Sequence, residues 1–219
     1  MKFTLGWLGE HLETDSNLAE VVDRLTMIGL EVEEVTDLEQ ELKDFVVGHV
    51  TAVNPHPNAD RLRLCDVDIG TATYQVVCGA PNARSEIKAV FAPIGTYIPG
   101  GNFTLQSRQI RGITGQGMLC SEKELGLGED HAGIIELHDD VEAGEPFVKA
   151  AGLDDPIIEI SVTPNRGDCL GVQGIARDLA ASGLGRLITP DVIPVSAKFK
   201  SPIEVSLRFS DKTEDACPY

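Results

Sequence analysis

The chain has 219 residues and a formal net charge of −17 at pH 7, enough length for one or two domains with their own cores. No apolar run reaches the ~20 residues that span a bilayer, and Glu10 and Glu13 break any signal-like start, so a cytoplasmic location is expected. The five cysteines are odd in number and far apart, which argues against a disulfide framework and a zinc knuckle; Cys65, Cys78 and Cys120 read as small buried hydrophobes.

Residues 3–5 read as extended and residues 7–12 as one or two helical turns. Asp15 or Ser16 can cap the next helix, with Glu20 placed to close a capping box from Ser16 or Asn17. Leu18, Val21, Val22, Leu25 and Ile28 recur at helical spacing, Gly29 ends the helix, and residues 31–35 read as a strand. A unit of about 40 residues with so few apolar groups does not fold alone.

From Phe45 the pattern turns to β. Residues 45–53 form an apolar strand, closed by a turn at 54–60 in which Pro55, Pro57, Asn54 and Asn58 forbid regular structure. Residues 61–69 form the next strand. Its apolar phase changes between Leu64 and Cys65, which predicts a β-bulge there. Further strands are expected at 74–78, 88–92, 103–105, 107–113 and 133–137, with a short helix at 121–125. Many short strands between Gly/Pro turns indicate a small barrel or sandwich. After Gly152, residues 157–162 read as a strand and 170–182 as a helix capped by Asp168 and stopped by Gly183. Pro190, Pro194 and Pro202 mark a linker, and residues 203–209 begin another strand.

Three strings carry most of the functional information. They are His56-Pro-Asn-Ala-Asp-Arg-Leu62, Ile110-Arg-Gly-Ile-Thr-Gly-Gln-Gly-Met-Leu-Cys-Ser-Glu-Lys-Glu-Leu-Gly126, and Glu159-Ile-Ser-Val-Thr-Pro-Asn-Arg-Gly-Asp-Cys-Leu170. The first two resemble the tRNA-binding OB-fold module of several tRNA synthetases and of stand-alone tRNA-binding proteins. In this order, the three resemble the N-terminal portion of the bacterial-type phenylalanine–tRNA ligase beta subunit, across residues 3–219. One departure stands out: the family pattern has a serine where this chain has Gly115, so any contact made by that serine is absent here.

The resemblance, together with the size argument, implies an α+β fold. A five-stranded OB-fold β-barrel (41–151) is inserted into a small discontinuous α+β domain (1–40 and 152–190), and 191–219 is a linker and the start of a further domain. It implies tRNA and the enzyme's alpha subunit, in an (αβ)₂ assembly, as partners, with neither DNA nor a membrane. ATP and magnesium are implied for the intact enzyme, which joins phenylalanine to its tRNA; the present segment is expected to need no cofactor. Its catalytic sites are implied to lie on the other subunit and beyond Tyr219, with Cys217-Pro-Tyr219 resembling the opening of the domain that leads to editing.

No catalytic or metal-binding residue is expected in this segment. The five histidines lack ligand spacing, and no P-loop or dinucleotide fingerprint is present.

The net charge sits awkwardly with RNA, because phosphate binders carry basic patches. The acid is concentrated at the start: residues 1–44 hold 3 basic and 12 acidic side chains, against 8 and 13 in residues 45–150. Contact with RNA therefore falls to local cations. The candidates are Arg61 and Arg63, expected to share a strand face by parity, and Asn82, Arg84, Arg108, Arg111 and Lys123. Asn58, Asp60 and Asn82 also read as turn or backbone-holding residues, Ser121 and Glu124 as a capping box, and Arg166 as an ion-pair partner or a subunit or RNA contact. The aromatics of the β region, Phe45, Tyr74, Phe91, Tyr97, Phe103 and Phe147, read mostly as core, which favours phosphate and shape contact over base readout. Two alternatives stay open: a stand-alone tRNA-binding or RNA-chaperone protein, and a protein–protein module whose acidic face docks a partner without RNA.

Overall fold

The computed structural model describes residues 1–204 and 206. The chain divides into two units, Met1–Ile188 and Thr189–Tyr219. In the second, the described residues form no helix or strand. The strand expected at 203–209 and the Cys217-Pro-Tyr219 string fall largely or wholly outside the described residues.

The first unit opens with β1 (Lys2–Thr4), α1 (Leu5–Gly9), β2 (Leu12–Glu13), α2 (Leu18–Met27), β3 (Glu31–Thr36) and α3 (Leu38–Glu41). Asn17 caps α2: its side chain accepts from Glu20 N at 3.0 Å, and Glu20 Oε2 accepts from Asn17 N at 3.1 Å. This capping box satisfies two amides that a helix start leaves without partners. Val21 and Leu25, four apart, face inward, and Gly29 leaves the helix at φ +86°, a backbone setting that glycine adopts without strain.

A run of strands follows: β4 (Val46–Pro55), β5 (Arg63–Asp68), β6 (Thr73–Cys78), β7 (Ile87–Pro93), β8 (Tyr97–Ile98), β9 (Phe103–Thr104), β10 (Arg108–Ile110), β11 (Ile113–Gly115) and β12 (Gly117–Leu119). Then come α4 (Glu122–Leu125), β13 (Glu136–Leu137), α5 (Phe147–Ala150), β14 (Ile157–Ser161), α6 (Val172–Ala181) and β15 (Arg186–Leu187).

Strands from the two ends of this unit are sheet partners. β14 lies between β1 and β3, antiparallel to both, with Phe3 opposite Ile158 and Val32 opposite Ile160. β15 pairs with β2. Phe3, Leu8, Leu12, Val21, Leu25 and Leu30 share one core with Ile158, Ile160, Val172, Ile175 and Leu179. Neither half has enough apolar surface for a core of its own, and full burial of each such side chain contributes roughly 1.5–3 kcal/mol.

The intervening strands form a six-stranded antiparallel sheet in the order β12-β7-β4-β5-β6, with β13 also on β7. Val50, Cys65, Val67, Val76, Ala89 and Phe91 line its interior; a second cluster around Phe45, Val90, Ile98 and Phe147 covers the other side. The sheet is curled but not closed. β6 is tied to the residue just before β12, where Gln116 N donates to Gln75 O and Gln75 N donates to Gln116 Oε1, both at 2.9 Å. The sheet has six strands rather than the expected five, and the mixed α+β class stands.

Several local expectations change. The bulge lies on β4, where Thr51 is the unmatched residue between Val50–Val67 and Ala52–Asp66, and not at Leu64–Cys65. Leu64 stays half-buried on the second face, so β5 needs no kink. β4 runs on through Asn54 and Pro55, which pair with Leu64 and Arg63. The single strand expected at 107–113 is two strands, because Arg111 (φ +50°) and Gly112 (φ +93°) make a tight two-residue turn. The helix after Gly167 starts at Val172 with Gly171 as its cap, since Asp168 is drawn away into ion pairs with Arg166 and Arg177.

Candidate nucleic-acid interface

The first two strings meet in space. His56 is only 5% exposed although it sits in a turn. Its Nδ1 accepts from Asn58 N at 3.1 Å, and its Nε2 lies 3.2 Å from Ile110 O. Since Nδ1 is an acceptor, the proton belongs on Nε2, which donates to the carbonyl. Asn58 Nδ2 donates to Arg111 O at 3.1 Å. One turn thereby holds two successive carbonyls at the tip of the β10–β11 hairpin. Within the turn, His56 N donates to Leu62 O and Leu62 N to Ala59 O, both at 3.1 Å, which fixes the loop carrying Arg61.

The hairpin overhangs a groove of about 940 Å³, lined in part by Val77, Phe103, Arg108, Ile110 and Met118. Phe103 and Tyr97 are 45% and 49% exposed, unlike Phe45, Phe91 and Phe147, which are buried. The expectation that the aromatics are core therefore holds for those three phenylalanines and fails for Tyr97 and Phe103. Tyr74 is half-buried and stacks on Phe91 with centroids 5.3 Å apart.

The candidate cations separate into two groups. Arg61, Arg108 and Arg111 are exposed and have no acidic partner among the described residues. Arg61 lies in the turn and Arg63 opens β5, so the expected shared strand face does not form. Arg63 donates to Ala83 O. Arg84 makes two bonds of 2.7 Å to Glu136, which raise its pKa and, with a bond from Asn82, hold the Glu136 carboxyl below its usual range. Asn82 brackets Ile134, donating to its carbonyl at 2.8 Å and accepting from its amide at 3.0 Å. Lys123 lies 3.5 Å from Glu129. Glu124 reaches back to Ser121 N at 2.6 Å, as a capping box requires. Sequence reasoning misses His56 and Phe103 as site residues. The faint signal for the first is a histidine between two prolines with an asparagine two residues on, and for the second a phenylalanine after Gly100-Gly101-Asn102.

The third string builds a separate cluster. Arg166 pairs with Asp168 at 3.2 Å and with Asp178; Arg177 bridges the same two carboxylates. The bond from Arg166 is the main cause that lowers the Asp168 pKa to about 2. Burial pushes the Asp178 carboxyl up, but the two arginines outweigh it and hold it low. Asp168, Cys169 and Asp178 are the one metal-like group among the described residues.

Residues 45–146 match a family described as "Putative tRNA binding domain". Curated relatives match along the whole chain. The phenylalanine--tRNA ligase beta subunit of Rhodospirillum rubrum is 51% identical over 100% of this chain and 27% of its own length. That of Paramagnetospirillum magneticum is 53% identical over 100% of this chain and 27% of its own. The chain thus spans just over a quarter of the length of these relatives. Among solved structures, a MetRS related protein from Pyrococcus horikoshii matches 51% of this chain and 96% of its own at 21% identity and a TM-score of 0.37.

Proposed function

We propose that the chain, which is similar along its whole length to phenylalanine–tRNA ligase beta subunits, acts as the appended tRNA-binding and subunit-assembly region of that enzyme. The carrying observation is that Arg61, Arg108 and Arg111 stand without acidic partners among the described residues, on a turn and a hairpin joined by His56 and Asn58, inside the segment that matches a tRNA-binding family. Acids beyond ~8–10 Å are screened at physiological salt, so a local patch attracts phosphate even in an acidic chain. Arg63, Arg84, Asn82 and Lys123 are already engaged and serve the scaffold first.

On this reading the curled sheet is an OB-type barrel, completed at its seam by Gln75 and Gln116. It interrupts a domain made of residues 1–40 and 152–190, whose acidic surface faces protein and not RNA. The partners are tRNA and the alpha subunit in an (αβ)₂ enzyme of the cytoplasm; no helix among the described residues is long and apolar enough to cross a membrane. The intact enzyme joins phenylalanine to tRNA using ATP and magnesium. The Asp168–Cys169–Asp178 group does not fit magnesium, which favours free oxygen donors, because both carboxylates are taken by arginines.

The test is a tRNA titration at low and moderate salt. Binding should be weak and steeply salt-dependent, and replacing Arg61, Arg108 and Arg111 with alanine should weaken it alike for different tRNAs. Affinity that ignores both salt and the triple substitution removes the patch; no binding at low salt favours the protein-interaction alternative.

A further inference from the structure

We propose that the groove under the β10–β11 hairpin receives one unpaired nucleobase of RNA, stacked on Phe103, with Arg108 meeting the adjoining phosphate. This rests on the RNA-binding reading and names what that surface takes. The volume of about 940 Å³ is within the range of preformed ligand sites. None of the twelve lining residues is acidic, and Arg108 is the sole charged one, in a chain where acids outnumber bases 35 to 18. Such a lining suits an anionic ligand with a flat apolar part.

Phe103 is set up as a platform. It is 45% exposed, and Tyr74–Phe91 is the one stacked aromatic pair among the described residues, so no other ring covers it. It is also held. A Cβ on Gly101 would sit 2.4 Å from Phe103 Cε1, so the ring lies against bare backbone there. The far wall is fixed as well, because Ile110 lines the groove and its carbonyl is bonded to His56 Nε2. Every base has a π-face, so stacking tolerates any sequence but requires an unpaired base.

Gly115 supplies the test. It lines the groove, its backbone needs no glycine, and a Cβ there would meet nothing nearer than 3.9 Å. Gly115→Val therefore fills the groove without a clash at Cβ. The probe is a single-stranded RNA of about ten nucleotides, within the site size of one such fold, carrying 2-aminopurine and titrated against the full chain. Phe103→Ala should weaken binding about tenfold and abolish the stacking quench, and Phe103→Trp should restore both. Gly115→Val should act like Phe103→Ala, while binding of a duplex of the same sequence is unchanged by either. If both variants bind the single strand as the parent does, yet the triple arginine variant loses binding, the base site is refuted and the RNA-binding surface stands. If the parent binds no RNA at low salt, both fall. Should Gly115→Val lower the melting temperature, Phe103→Ala, at a residue outside the buried core, decides alone.

Discussion

The α+β layer and the β-rich module handle their charges in opposite ways. Every cation in residues 1–40 and 152–190 has a partner: Lys2 pairs with Glu159, Arg24 donates to Ser182 O, Arg166 and Arg177 share Asp168 and Asp178, and Arg186 pairs with Glu13. The pairs made by Lys2, Arg24 and Arg186 join residues 157 to 173 apart in sequence, so they stitch the two ends of the layer to each other. In the module, Arg61, Arg108 and Arg111 are left facing solvent. The cations of the layer are all engaged, by carboxylates or by a carbonyl, whereas three arginines of the module are not. On the proposed reading this difference separates a scaffold from a binding surface inside one acidic chain.

The comparison breaks most visibly in the layer's core. Ile160→Ala should destabilise the protein by about 2–5 kcal/mol, because Ile160 is fully buried where residues from both ends meet. Chemical denaturation checks this. A loss below about 0.5 kcal/mol would mean that the two halves do not depend on a shared core. Next in size is Asn82→Ala in the module. It removes both bonds to the Ile134 backbone and should cost about 1–3 kcal/mol, with tRNA affinity per folded molecule unchanged. A drop in affinity without a drop in stability would return Asn82 to the binding surface.

Acid should separate the regions further. A carboxyl whose folded pKa is depressed adds stability that is complete above its unfolded value of ~3.9 and is lost as pH falls through its folded value. For Asp168 that folded value is about 2, so the window runs from about pH 4 down to pH 2. Melting temperature followed over that range should fall less steeply in Arg166→Gln, whose Asp168 has lost its main partner. The smallest stability effect belongs to the exposed arginines. Replacing Arg61, Arg108 and Arg111 with alanine should shift stability by no more than ~0.5 kcal/mol. The same change should flatten the salt dependence of tRNA binding by roughly 0.7–0.9 in log–log slope for each phosphate that is no longer neutralised.

Most elements are legible in the amino-acid order because their signals are local. The sequence allows a box closed by Glu20 from Ser16 or Asn17, and Asn17, rather than Asp15 or Ser16, is the cap. That box, the 3.6 period of α2, Gly29, and the Ser121–Glu124 box each act within a few residues. The split at Arg111–Gly112 is not legible. A lone Gly inside an apolar alternation does not reveal that the arginine before it also takes a positive φ. Sequence places the bulge on the wrong strand because phase on β5 is a local signal, whereas register with β4 is a property of the pair.

Among the candidate residues, sequence alone separates cations from acids but not free cations from paired ones. Arg84 and Arg108 look alike until Glu136, 52 residues away, takes the first. Asn82 owes its role to Ile134 at the same separation, and His56 is tied to Ile110, 54 residues on. Pairing, bracketing and the groove are long-range facts, set when the curled sheet brings β13 and the hairpin against earlier turns. Composition and spacing determined which residues carry positive charge; tertiary contacts decided which of them are left unpaired.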